Sequence, residues 1–249
     1  DVCPGLDAVV TLSGTTCPHD LRRASIPGFL VRWELRNTGR EPRTVTCRMG
    51  WPNLVGLGGG IARAESRIGY GDGYYQYWSD PAGRQETSFE RAGITGVKYS
   101  GQPAVEHLAS NGEHWLAAAG KAAVTAGSGQ GEVRVELEVA PGKTAVTTMA
   151  LVAAMPHWVD SLGVDRGRAW QVHFKNGEEM IQSLLAESDS ILAEAGALGR
   201  LFDDSSLPDW LIRRLANCNY PLVTNSVLYR DGRFSINEGP TEMAGCYGT

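Results

Sequence analysis

EVRVELEVAPGKTAVTTMALVAA, residues Glu132–Ala154, decides the architecture. Val133, Val135, Leu137 and Val139 alternate with Arg134, Glu136 and Glu138, the period of two that sends successive side chains to opposite faces of a sheet. Pro141-Gly142-Lys143 supplies a turn, and a second strand is predicted from Thr144 to Ala154. Upstream, Phe29, Val31, Trp33 and Leu35 alternate with Leu30, Arg32, Glu34 and Arg36, which predicts one face in a core and the other largely wet. Asn37-Thr38-Gly39 turns the chain and Val45, Cys47 and Met49 return it. Strands and turn signals run from Ala8 to about Ala154 with few helical periods, so the expected fold is an antiparallel β-sandwich over one core, with a barrel as the alternative.

Two irregular stretches interrupt this pattern. Gly50–Gly60 reads GWPNLVGLGGG; its glycine triplet lacks the Lys-Ser/Thr that a phosphate-cradling loop requires. Gly71–Pro81 reads GDGYYQYWSDP and carries Tyr74, Tyr75, Tyr77 and Trp78. Aromatics on such a loop either stack on sugar rings or cap the ends of a sheet, and loops on rigid scaffolds often carry binding residues.

After Trp158 the period changes. Met180, Ile181, Leu184, Leu185, Ile191, Leu192, Ala195 and Leu198 recur at helical intervals, predicting one long connecting helix. Asn176 and Glu179 form a start resembling a capping box, and Gly196 and Gly199 loosen its end. A second helix is predicted near Ser206, where Ser-Leu-Pro-Asp gives a cap, an early proline and an acidic residue in favourable order. Leu207, Trp210, Leu211 and Leu215 give it an apolar stripe, and Pro221 ends or kinks it.

The last stretch, NSVLYRDGRFSINEGPTEMAGCYGT (225–249), predicts a hairpin with a two-residue type I′ turn at Asp231-Gly232. Val227 and Tyr229 precede the turn and Phe234 and Ile236 follow it. Glu238 then sits at a strand-to-loop exit, before a run of small and neutral residues from Met243 to Cys246. The expected organisation is a β-rich body over 1–165, a helical linker over 166–205, and the opening of a helical domain over 206–249.

A formal net charge of -5 and a pI near 5.6 give no electrostatic footprint for nucleic acid or anionic membrane. No apolar run reaches the roughly 18 residues of a membrane span. Cysteines 3, 17, 47, 218 and 246 lack paired C-x-x-C spacing. Reduced thiols are the default, which leans towards a cytoplasmic setting, although Cys3 and Cys17 could close a loop. Nothing in the pattern calls for a metal or cofactor. With no element completing the fold before Thr249, the chain reads as a segment of a longer protein.

SSLPDWLIRRLANCNYPLVTNSVLYRDGRFSINEG (205–239) resembles the entry to the catalytic domain of glycoside hydrolase family 116, the bacterial β-glucosidase and non-lysosomal glucosylceramidase family. GRAWQVHFKNGEEMIQSLLAES (167–188) is similar to that family's aromatic-rich approach to its linker helix, and MGWPNLVGLGGG (49–60) to a stretch of its N-terminal sandwich. The resemblance implies a retaining glycosidase with a β-sandwich followed by an (α/α)6 barrel. It implies that Glu238 is the nucleophile, that Glu242, Tyr247 and Thr249 are candidates for substrate contact, and that the acid/base Asp lies beyond Thr249. The implied partners are a carbohydrate substrate and the rest of the catalytic domain. After Glu238 the sequence GPTEMAGCYGT is nearer to prokaryotic members than to the animal glucosylceramidase, and Glu242 is a rival carboxylate. The alternative is a non-catalytic sandwich that binds carbohydrate or braces a partner domain.

Overall fold

The two strands on either side of Pro141 form as expected, but in different sheets. The computed structural model describes residues 4–17, 19–57, 60–62, 74–76, 83–102, 110–158, 164–218 and 226–236, with backbone alone for 60–62, 74–76, 198 and 236. In chain order the first elements are β1 (Leu6–Gly14), α1 (Leu21–Ala24), β2 (Gly28–Asn37), β3 (Arg43–Pro52), β4 (Gly60–Ala62), β5 (Tyr74–Gln76) and β6 (Gln85–Arg91). Then come β7 (Ile94–Ser100), β8 (Glu113–Ala119), β9 (Ala123–Gly127), β10 (Gln130–Val139) and β11 (Thr144–Ala154). The remainder is α2 (Trp170–His173), α3 (Gly177–Ala186), α4 (Ser188–Asp203), α5 (Asp209–Cys218), β12 (Ser226–Leu228) and β13 (Phe234–Ile236).

A six-stranded antiparallel sheet, β1-β2-β11-β8-β7-β6, packs against a three-stranded sheet, β3-β10-β9. Among the described residues both sheets keep open edges, so the sandwich reading holds and the barrel does not. Between the sheets lie Leu35, Val97, Leu116, Met149 and Leu151 from one side and Cys47, Val133, Val135 and Val139 from the other. The alternation read in Val133–Val139 thus buries the face it named.

Asn37 makes the corner between the sheets. It is fully buried, and its Nδ2 donates to the carbonyls of Val139 and Glu41, each at 2.8 Å, while its Oδ1 accepts from Gly39 N at 2.9 Å. Its backbone also bonds both ways with the turn after β10, through Lys143 O and Gly142 N. The turn after Asn37 therefore carries the chain across to the other sheet, and β3 pairs with β10 instead of returning along β2. A short turn alone cannot tell these two outcomes apart; the hydrogen bonds of Asn37 do.

The expectation that the second face of β2 is largely wet holds for Glu34 and Arg36, which are exposed, but fails at Leu30. Leu30 is fully buried in a second core layer with Ala150, Val152, Met180, Ile181, Leu184, Leu185 and Ile191. The apolar faces of α3 and α4 lie on that side of the six-stranded sheet, which is why β11 is buried on both faces over most of its length. Close approach at the start of α3 depends on Gly177, where a Cβ would fall 2.4 Å from the Trp115 ring.

The predicted long helix is two helices. The α3 cap is as read, with Asn176 Oδ1 accepting from Glu179 N at 3.0 Å, but Glu179 Oε2 accepts from Lys175 N at 2.8 Å rather than from Asn176. α3 ends at Ala186, and Ser188-Asp189-Ser190 starts α4, with Ser190 Oγ donating to Glu187 O. Such residues favour helix starts because their side chains bond nearby backbone. α5 begins at Asp209, after Pro208. Along the expected apolar stripe Trp210 is 67% exposed, Leu215 and the preceding Leu207 are exposed, and Leu211 is half-buried. Pro221 lies outside the described residues.

Inside the sandwich some buried polar atoms have no hydrogen-bond partner among the described residues. The Tyr99 hydroxyl and both ring nitrogens of His114 are unpaired, with the rings 6.5 Å apart and edge-to-face on the β7–β8 pair. Burial pushes the Tyr99 phenol up, and it pushes His114 down to about 4.

Candidate functional site

The four residues carried by the family resemblance, Glu238, Glu242, Tyr247 and Thr249, lie outside the described residues, as do Tyr77 and Trp78. Tyr74 and Tyr75 are on β5, which pairs with β4. What the structure describes is the platform on which the strand before Glu238 is held.

That strand belongs to the β12–β13 hairpin, whose turn differs from the type I′ expected. Gly232 has φ +84° while Asp231 does not enter the left-handed region. Gly232 N donates to Tyr229 O at 3.0 Å and Tyr229 N to Arg233 O at 2.9 Å. This is a turn over Tyr229–Gly232 closed by a left-handed glycine, the longer hairpin loop. Asp231 selects it: its carboxylate accepts from Arg233 N at 3.1 Å and from Arg233 Nε at 2.8 Å. These side-chain and backbone bonds to Arg233 hold the Asp231 carboxyl below its ordinary range, with Arg166 adding to the effect.

The hairpin rests on the segment between β11 and α2. Ala169 N donates to Leu228 O at 3.0 Å. Gly167, at φ +63°, lets the backbone pass beneath Arg230, since a Cβ there would meet Gln171 Oε1 at 2.6 Å and Arg230 Cβ at 3.3 Å. The segment is shaped by Asp165. Its Oδ1 accepts from Trp158 N and Gly167 N, both at 3.0 Å, and its Oδ2 lies 2.6 Å from His157 Nδ1. Burial works to raise the Asp165 carboxyl, but the His157 bond and the two backbone N–H groups outweigh it, and the group stays ionised below the usual range. Beside it the Arg168 guanidinium stacks 4.5 Å above the Trp158 ring, and burial lowers its pKa.

A cleft of about 770 Å³ opens next to this junction, with Glu113, Trp170, His173, Lys175, Glu179 and Arg230 among its lining residues. Its carboxylates are committed to structure. Glu113 accepts from Gly177 N at 3.0 Å and pairs with Lys98 at 2.5 Å, and Glu179 accepts from Lys175 N. Retaining glycoside cleavage needs two free carboxyl groups about 5–5.5 Å apart, and neither of these two is free for that chemistry. Among the described residues no group of three or more His, Cys, Asp or Glu is placed to hold a metal ion. No helix is long and apolar enough to cross a membrane among them either. Cys17 and Cys47 are buried free thiols and Cys218 is an exposed one.

The sequence reading missed the His157–Asp165 pair and Arg168. The signal available was Asp165-Arg166-Gly167, an Asp two residues before a Gly, where the side chain bonds its own backbone two residues on.

No family model matches the chain, and no curated protein matches it. Among solved structures it is similar to a protein described as a kojibiose phosphorylase from the human microbiome. The two are 8% identical over 79% of this chain and 21% of that one, with a TM-score of 0.41. The chain thus spans about a fifth of that protein's length, and the functional reading rests on the residues themselves.

Proposed function

We propose that this chain is the N-terminal sandwich, linker and catalytic-domain opening of a retaining glycoside hydrolase resembling family 116, acting on β-glucosides or related β-glycosides. In this reading residues 1–165 form the sandwich, 166–205 the linker, and 206–249 the start of an (α/α)6 barrel. Glu238 is the nucleophile that attacks the anomeric carbon. Its partner, a protonated carboxyl that releases the leaving oxygen, belongs to the longer polypeptide.

The observation that carries the reading is the clamp on the hairpin. The Ala169 N to Leu228 O bond, the Gly167 passage under Arg230 and the Asp231–Arg233 turn hold β12 and β13. Glu238 follows two residues after Ile236. A nucleophile must be held to within a fraction of an ångström of its productive position, and a strand end anchored on a packed scaffold meets that demand better than a free loop. The exposed Trp210 and Leu215 of α5, with Leu207 just before it, also fit a helix that packs against further barrel helices.

The test is a 2-deoxy-2-fluoro-glucoside with a good leaving group, applied to the longer protein and followed by peptide mass spectrometry. The expected label is on the peptide containing Glu238, and Glu238→Gln abolishes it. Label on Glu242 or elsewhere, from a protein that turns over a β-glucoside, rejects the assignment.

A further inference from the structure

β1 is an edge strand. It pairs with β2 over all nine of its residues and, among the described residues, has no strand on its other side, so that edge presents a row of open backbone donors and acceptors. Proteins usually guard such edges with charge, proline or short length. The other edges here follow that rule. β6, QETSFER, carries Glu86, Glu90 and Arg91; β3 carries Arg43 and Arg48 and ends at Pro52; β9 has five residues. β1, LDAVVTLSG, has a single charge, Asp7, and no proline.

Its side chains are uncovered as well. Val9, Val10 and Leu12 are 59%, 51% and 69% exposed. The register sets Ala8, Val10 and Leu12 opposite Leu35, Trp33 and Val31, which puts them on the face turned towards the three-stranded sheet, and that sheet does not cover them. The result is an apolar stripe running along an unpaired backbone edge.

We propose that β1 pairs antiparallel with β1 of a second copy of this chain, joining two six-stranded sheets across a twofold axis at Val10. The strand is complementary to a second copy of itself. Centred on Val10, the one register that engages all nine residues sets Leu6 against Gly14, Asp7 against Ser13, Ala8 against Leu12, Val9 against Thr11, and Val10 against itself. The two Asp7 carboxylates fall at opposite ends, each facing a serine, so no like charges oppose one another. The inner face then gathers Ala8, Val10 and Leu12 from both copies into one apolar row. Because the contact is isologous it closes at two chains.

Sedimentation equilibrium of the full chain over a wide concentration range is the test, paired with hydrogen exchange at low and high concentration. The expected mass rises from one chain to two and stops there, with added protection in the β1 amides that do not bond to β2. Val10→Lys brings two ammonium groups together at the axis and weakens the dimer by at least about tenfold, whereas Val146→Lys, an equally exposed position on β11, leaves it unchanged. Circular dichroism confirms that each variant is folded. A monomer at every concentration, a mass beyond two chains, wild-type dimerisation by folded Val10→Lys, or concentration-dependent protection confined to another element each overturns the proposal. The exchange measurement decides the matter on the wild-type chain alone should Val10→Lys fail to fold.

Discussion

Lowering the pH from 7 to 5 should destabilise this protein mainly through one side chain, His114. The ring is 2% exposed, has no hydrogen-bond partner at either nitrogen, and is pushed down to about 4 by burial. An unfolded histidine titrates near 6.5. Between those values the unfolded chain binds the proton and the folded chain does not, so stability falls as pH falls through that window. With these two values the loss is about 2 kcal/mol at pH 5 and about 3 kcal/mol once the pH is below 4. Urea unfolding followed by tryptophan fluorescence at pH 7 and pH 5 measures the difference. His114→Leu keeps the volume nearly constant and removes the titrating group, so its stability should change by about 2 kcal/mol less than the wild type's over the same interval. Removing an unsatisfied buried polar group should also leave it no less stable at pH 7. If His114→Leu loses as much stability as the wild type between pH 7 and 5, the acid sensitivity has another source and the burial argument fails.

Asn37→Ala deletes the side-chain bonds that turn the chain from one sheet to the other and leaves the Val139 carbonyl without its buried donor. A loss of about 3 kcal/mol in urea unfolding is expected, and a loss under about 1 kcal/mol would mean that backbone bonds alone hold the corner. Leu184→Ala empties a fully buried site between α3 and the six-stranded sheet, with an expected cost of about 3 kcal/mol by the same assay. Near-neutral behaviour there would show that α3 does not dock as described. Asp165→Ala removes the acceptor for Trp158 N and Gly167 N, so the Ala169 amide, bonded to the hairpin, should exchange at least about tenfold faster; unchanged exchange would separate the loop from the hairpin clamp.

The sheets were legible because their signal is local. Val133 to Val139 alternate strictly, and a strand with one core face cannot hide that period. β11 was legible as a strand but not as one buried on both sides, since a continuous apolar run does not reveal what lies on each face. Leu30 was misread for the same reason: α3 and α4, which cover it, lie more than a hundred residues further along. The break at Glu187 was written in Ser188-Asp189-Ser190, yet the apolar period runs through it, and periodicity overrode the cap. The junction of His157, Asp165 and Arg168 with the hairpin depends on tertiary contacts alone. Of that junction the sequence disclosed the Asp231-Gly232 turn, though not its type, and nothing of the platform beneath.

The position of β11 has a consequence for how the chain comes together in time. β11 bridges β2 and β8, and its pairing with β2 sets Met149 against Val31, a contact spanning more than a hundred residues. Contacts of that span slow folding, because the loop between must be ordered before the pairing repays its entropy. During synthesis, at roughly 5–20 residues per second, β1 and β2 wait several seconds as a two-stranded ribbon, with Leu30 and Leu35 uncovered and no neighbour at either edge. β6, β7 and β8 meanwhile form their own local meander. The two halves of the large sheet become one only when Thr144–Ala154 has left the ribosome, and until then the β1–β2 pair lacks the strand that joins it to the rest.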